Sequence, residues 1–265
     1  MFIIEVPYFN LSQIYNSRQV PRWIRLKDNK YIIIHKDKAM PIEQKKQRLI
    51  LGCSEEEFYS VWFKYFDLRT DYCMVNDNIK KLNKKLKIPC NRGQGLRVLN
   101  QDKFEMYVYC KLIQKQGWEK ASETMTRIAA TYGIHHKNCM GDAGKVHWHE
   151  WPQPERLLEC LEKEKCFTPV KKFLKKLCQA IVCDGFDITQ QDNDLYKLLG
   201  LHQLNHFPQY GLEETIQKNF KCDVEEFVRE FLNESEYKGM AYIYIHHHIS
   251  NIPKVGEMIY HGNSN

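Results

Sequence analysis

The stretch Gly93-Gln94-Gly95-Leu96-Arg97-Val98-Leu99-Asn100-Gln101-Asp102-Lys103-Phe104-Glu105 decides how the rest of the chain is read. It leads into the longest helical pattern in the sequence. From Phe104 to Tyr132 apolar residues recur at helical spacing, with one interruption at Gly117. The two leading glycines do not build a nucleotide-binding loop, because no strand precedes Gly93-Gln94-Gly95 and the third glycine is absent.

Working outward, the N-terminal side carries the strand signals. Tyr31-Ile32-Ile33-Ile34-His35 is a short β-rich run and Arg48-Leu49-Ile50-Leu51 is another. Ser54-Glu55-Glu56-Glu57 then opens a helix, with Ser54 as cap and Glu57 three residues on to complete a capping box. From there the pattern is almost entirely helical. Pro154-Glu155-Arg156-Leu157-Leu158 starts a helix with proline in its first turn, and further helices are predicted over Val170–Cys183, Gly211–Phe220, Val224–Leu232 and Tyr237–Ile249. No internal repeat or long linker is present. The expected architecture is α+β and mostly α: a small antiparallel part over residues 1–72, a helical body over 73–254 and a frayed tail over 255–265.

Composition narrows the function classes. With 265 residues, 43% of them hydrophobic and 27% charged, the chain can bury a sizeable core and is not a disordered sequence. No apolar run approaches the roughly 20 residues of a membrane helix, and no signal peptide is readable at the N-terminus. Ten cysteines without C-x-x-C spacing, in a chain too large to need staples, read as reduced thiols and predict an intracellular, cytoplasmic protein. The net charge of +6 permits a polyanionic partner. Basic residues concentrate at Lys80, Lys81, Lys84, Lys85, Lys87, Arg92 and Arg97, and again at Lys163, Lys165, Lys171, Lys172, Lys175 and Lys176. They are either solvated helix faces or phosphate contacts, since lysines track a backbone without reading its sequence.

Two long stretches resemble the 8-oxoguanine DNA glycosylases, of the helix-hairpin-helix DNA glycosylase superfamily. The first is Leu11-Ser12-Gln13-Ile14-Tyr15-Asn16-Ser17-Arg18-Gln19 with Pro21-Arg22-Trp23, Glu57-Phe58, Trp62 and Tyr65-Phe66-Asp67-Leu68. The second is the Gly93–Glu105 stretch, similar to that family's G-Q-G-[IL]-R-[IL]-L-x-Q-D-x-x-E lead into its central helical domain. Near the C-terminus, Tyr237-Lys238-Gly239-Met240-Ala241 is similar to its Y-A-G-x-A-Q helix. The resemblance implies a small antiparallel domain followed by a helical domain flanking a base-sized cleft.

The same resemblance implies altered chemistry. The family's hairpin, L-P-G-V-G-x-K-x-A, falls on Leu198-Leu199-Gly200-Leu201-His202-Gln203-Leu204. The second glycine becomes His202, and the nucleophilic lysine becomes Leu204, which has no amine to form a Schiff base. The carboxylate position falls near Tyr210, and a phenol does not replace a carboxylate beside a developing cation. The strand-separating asparagines fall on Lys115-Gln116-Gly117, and the tyrosine wedge near Pro169. The family's base-contacting glutamine and phenylalanine fall on Tyr242 and His246, four apart and so on one helix face. These two either stack on a planar ligand or plug a shrunken cavity.

Carboxylates that would stand in for the lost aspartate are Glu213, Glu214 and Asp223, though a helix's first turn favours acids in any case. His246-His247-His248 point about 100° apart in a helix and do not share a ligand face. His147-Trp148-His149 places two imidazoles on one side if extended, near Glu150 and Cys139, with no zinc signature. His135-His136 reads as a helix C-terminal cap. No metal or cofactor is expected. Three functions remain open: recognition of nucleic acid or a nucleobase-containing ligand in the cleft without conventional excision; hydrolysis or modification of a nucleoside or DNA base through a carboxylate; and a non-catalytic interaction or inhibitor protein.

Overall fold

The computed structural model describes residues 1–139, 144–164, 168–208, 211–233 and 235–250. The architecture is α+β, as the sequence predicts. Five strands, β1 (Phe2–Glu5), β2 (Ile24–Lys27), β3 (Lys30–His35), β4 (Lys38–Lys45) and β5 (Arg48–Leu51), form one antiparallel sheet in the order β1-β5-β4-β3-β2. The predicted runs become β3 and β5. The sequence did not reveal β1, β2 and β4, because β4 carries Pro41 and alternates with lysine and glutamate, and the other two span four residues each.

One sheet face buries Tyr31, Ile33, Met40, Leu49 and Leu51 against α1 (Leu11–Asn16) and the helical segment of residues 55–65. That segment joins α2 (Glu55–Glu57), a π turn (Phe58–Trp62) and α3 (Phe63–Tyr65). Ser54 caps it, accepting from the Glu57 amide at 3.1 Å, while the Glu57 carboxylate accepts from the Trp62 indole at 2.9 Å. The box is therefore half formed: the glutamate turns to a buried ring donor.

The helical body follows in chain order. It comprises α4 (Tyr72–Leu82), a 3-10 turn (Lys84–Leu86), α5 (Lys87–Arg92), α6 (Lys103–Gln116), α7 (Trp118–Tyr132), strands β6 (His135–Cys139) and β7 (Lys145–His149), α8 (Pro154–Glu162), α9 (Pro169–Val182), α10 (Asp194–Gly200), α11 (Glu213–Phe220), α12 (Val224–Phe231) and α13 (Lys238–Ser250). Gly117 separates α6 from α7 at φ +78°, a conformation open to glycine. None of the described helices is long and apolar enough to cross a membrane. The tail, residues 255–265, lies outside the described residues.

One expectation is overturned. His135-His136 is not a helix cap; it opens an antiparallel hairpin that pairs His135 with His149 and Lys137 with His147. Trp148 and Val146 point to the same side of β7 and pack on Ile32 and, beyond it, Ile24 and Ile34 of the outer sheet face. Apolar surface on that face required a cover, and the alternating β7 pattern supplies it.

The Gly93–Glu105 stretch stitches the two parts together. A Cβ on Gly95 would lie 2.1 Å from the Asn10 Cβ, and one on Gly93 would lie 2.6 Å from the Tyr244 ring in α13. Arg97 is buried rather than surface-basic: it donates to the Pro7, Tyr8 and Asp67 carbonyls and lies 4.3 Å over the Tyr72 ring. Downstream, Glu105 holds buried Arg22 in a two-pronged pair at 2.5 and 3.0 Å. The third arm of Arg22 donates to the His149 carbonyl at 2.8 Å.

Candidate nucleic-acid interface and the altered cleft

Helix α10 brings Leu195, Leu198 and Leu199 up to one wall of a cavity whose other wall is α13. The sequence-matched pair meets there. The Tyr242 and His246 rings stack 5.7 Å apart at 23°, with the Phe207 ring edge-on to Tyr242 at 5.6 Å and Trp118 6.0 Å from His246. The cavity has a volume of about 20 Å³. That is the scale of a single water, an order of magnitude below a small-molecule site. A nucleobase fits only if one of these rings moves. Burial drives the His246 imidazole down to about 4, helped by the Arg18 and His247 charges, so at neutral pH it is an uncharged ring. Trp118, to which the sequence reading gave no role, opens α7 directly after the Gly117 turn; its position was not readable from spacing.

The loop after α10 departs from a glycine hairpin in a specific way. His202 keeps a left-handed backbone at φ +49°, the conformation that favours glycine. Its side chain is not idle: Nε2 donates to the Asp67 carboxylate at 2.6 Å, and the Tyr72 hydroxyl donates to the same oxygen at 3.0 Å. Burial raises the Asp67 carboxyl, but hydrogen bonds from His202, Thr70 and Tyr72 outweigh it and hold the group below its ordinary value. Leu204 packs against the core of the helical body, and its carbonyl accepts from the Gly239 amide at 2.7 Å. A Cβ on Gly239 would lie 2.2 Å from the Gln203 carbonyl oxygen, so the start of α13 rests directly on this loop. Tyr210 lies outside the described residues.

The candidate carboxylates are elsewhere. Glu213, Glu214 and Asp223 line an open groove of about 870 Å³ between α11 and α12, and none of them lines the cavity of Tyr242 and His246. Asp223 caps α12 by accepting from the Glu226 amide at 2.8 Å. A further groove of about 510 Å³ runs between β1 and the start of α4, past Tyr59, Arg69 and Cys73; of the residues singled out in the sequence, Arg97 lines it. Among the described residues, no group of three or more histidine, cysteine or acidic side chains is arranged to hold a metal.

The two basic groups divide by environment. Lys81 at the end of α4, Lys84 in the 3-10 turn and Arg92 at the end of α5 are exposed. Lys80 lies 3.5 Å from Asp77, Lys85 donates to the Asn219 carbonyl at 2.5 Å and sits over the Phe220 ring, and Arg92 donates to His248 at 3.1 Å. On α9, Lys171 is tied to Glu164, which also accepts from the Tyr132 hydroxyl at 2.6 Å, while Lys172 is exposed and Lys175 half-buried. Lys165 lies outside the described residues.

Comparison with known proteins bears on the fold. The family profile of the 8-oxoguanine DNA glycosylase N-terminal domain matches residues 1–107. No curated protein matches. Among solved structures, MBOgg1 in complex with a low-affinity DNA ligand is 21% identical with a TM-score of 0.82, covering 95% of this chain and 96% of that one. The Clostridium acetobutylicum 8-oxoguanine glycosylase/lyase bound to double-stranded DNA with cytosine opposite 8-oxoguanine is 20% identical with a TM-score of 0.79, covering 95% and 99%. The 3-methyladenine DNA glycosylase of Archaeoglobus fulgidus is 13% identical with a TM-score of 0.66, covering 95% and 100%. The chain thus resembles the 8-oxoguanine DNA glycosylases and has a DNA-glycosylase fold along nearly its whole length.

Proposed function

We propose that this chain is an intracellular nucleic-acid-binding protein on a DNA-glycosylase scaffold, one that does not cleave through a lysine Schiff base. The observation that carries this reading is the loop at Leu204. An apolar side chain packed against the core stands where the sequence match puts the nucleophile, and a leucine offers no lone pair to a sugar carbon. The small cavity supports it, since the packed rings of Tyr242, His246 and Trp118 enclose about 20 Å³. Binding then rests on backbone phosphates, for which Lys81, Lys84, Arg92 and Lys172 are among the exposed candidates. DNA as the ligand class is supported by the two similar structures solved with DNA. The hydrolase alternative gains nothing from Glu213, Glu214 or Asp223, which share no cavity with Tyr242 and His246. An intracellular setting agrees with buried thiols such as Cys90 and Cys110, both pushed up to about 12 by burial.

The test is binding to a short labelled duplex across a salt series, with borohydride trapping on 8-oxoguanine and abasic duplexes alongside. Each phosphate contact contributes about 0.9 to the slope of log K against log salt, so Lys81→Ala, Lys84→Ala and Lys172→Ala should each flatten the slope by up to that amount. No covalent adduct should be trapped. Salt-independent binding, no binding at low salt, or a trapped adduct each overturns the proposal.

A further inference from the structure

The β6–β7 hairpin has two faces of opposite character. Its inner face buries Trp148 and Val146 on the sheet, and His136 stacks on Trp148 at 4.2 Å while donating to Glu150 at 2.6 Å. Its outer face follows from the register: His135, Lys137, Lys145, His147 and His149 all alternate to that side. Four of them are exposed and His149 is half-buried. The imidazoles are clustered. His135 and His147 stack at 5.2 Å and share a hydrogen bond of 3.0 Å between Nε2 and Nδ1, and the His149 ring lies 4.9 Å from that of His135.

This is an unusual way to finish a solvent-facing ribbon. Five side chains of basic type share one face, and none of the described residues on it is acidic. The surrounding groups do not compensate for it. Behind the face, Arg22 is neutralised by Glu105, and Glu150 is engaged by His136 on the other side. An imidazole–imidazole hydrogen bond needs one ring to accept, so full protonation breaks it and sets like charges side by side. Burial, and then the charges of His135, Arg22, His136 and His147, lower the His149 imidazole. The charged form of the His149 ring is therefore disfavoured where it sits. A row of phosphates laid across the face reverses that balance, giving each ring an anionic acceptor and favouring the protonated form. A two-stranded ribbon is also a shape that the major groove of B-DNA admits.

We propose that the outer face of the β6–β7 hairpin is a binding site for the phosphate backbone of a nucleic acid, and that its imidazoles take up protons as the polyanion docks. The site rests on the nucleic-acid reading above and adds to it a second contact surface and a pH dependence. One link leads from α7 toward an α9 lysine. Tyr132, three residues before His135, bonds to Glu164, which also holds Lys171.

The experiment compares the full chain with a His135→Gln/His147→Gln variant, both surface changes, binding the same short DNA duplex at pH 6 and pH 8 with a chelator present. The chelator removes any metal ion that would bridge the imidazoles in place of protons. By linkage, each proton taken up adds up to one unit to the slope of log K against pH, so the wild type should bind on the order of tenfold more tightly at pH 6 than at pH 8. The variant should lose most of that gain while matching the wild type at pH 8. Calorimetry in two buffers of different ionisation enthalpy should show proton uptake for the wild type and less for the variant. Equal pH dependence and equal proton uptake in both proteins would overturn this site and leave the nucleic-acid reading intact. Absence of binding by either protein at either pH would overturn both.

Discussion

Two segments run between the sheet part and the helical body, and they are built on different principles. The 93–105 segment is held by close approach: glycines with no room for a Cβ, a buried guanidinium capping three carbonyls, and a buried two-pronged Arg22–Glu105 pair. The 201–208 loop has one such close approach, Gly239 against the Gln203 carbonyl, and is otherwise held by single side-chain ties, of which His202 to Asp67 is the clearest. Close approach tolerates almost no substitution, because interiors are packed like crystals. A tie between two side chains can be exchanged for another without disturbing the backbone. The 93–105 segment resembles the sequence pattern of the 8-oxoguanine DNA glycosylases. The 201–208 loop carries His202 and Leu204 where the resemblance would put a glycine and a lysine, and has a left-handed residue at 202.

The sharpest way to break this comparison is at the pair inside the first segment. Glu105→Ala leaves the Arg22 guanidinium buried and unpaired, and should cost about 3–5 kcal/mol, read as the free energy of urea unfolding. A loss below 1 kcal/mol would show that the segment is not held as described. Acid titration probes the second region, where α13 rests on the loop. His246 has a folded value of about 4 against an unfolded value near 6.5. The unfolded chain therefore binds the proton first, so stability is whole above pH 6.5 and declines as pH falls toward 4. The slope approaches about 1.4 kcal/mol per pH unit for this group. His35, also lowered to about 4 by burial, adds its own share. His246→Gln should flatten the acid limb relative to the wild type; an unchanged limb would place His246 in solvent.

Smaller effects sharpen the contrast. Gly95→Ala forces a Cβ to within 2.1 Å of the Asn10 Cβ, and should cost about 1–3 kcal/mol as overpacking does. Thermal melting of this variant should fall clearly below the wild type. His202→Gly should move stability by less than about 1 kcal/mol, because the lost bond to Asp67 is offset by relief of the left-handed strain. If His202→Gly proves as costly as Gly95→Ala, the two segments are not held by different means.

Much of the scaffold could be read from residues in order. The Gly93–Glu105 pattern, the break at Gly117 and the caps of the later helices are local signals, and local physics sets them. What could not be read depends on residues distant in the chain. Nothing beside His202 announces Asp67, 135 positions away. Arg97 sits among basic residues in the sequence, yet is drawn inward by the carbonyls of Pro7, Tyr8 and Asp67. Tyr242 and His246 do line one cavity, as their pairing in the sequence suggests, but Trp118, which also lines it, is marked by no motif. The hairpin escaped because His135-His136 follows a long helix, and alternation over five residues is a weak signal beside it.

The three-armed grip of Arg22 has a consequence for how the molecule assembles and comes apart. Its partners stand 83 and 127 residues along the chain, so the guanidinium cannot leave water until the sheet part, α6 and the hairpin have all arrived. We predict that such a junction closes late, after the folding barrier has been crossed. Variants at Arg22 or Glu105 should accordingly leave the refolding rate nearly unchanged and hasten unfolding. The fork acts as a latch, setting how long the folded molecule persists rather than how quickly it is reached.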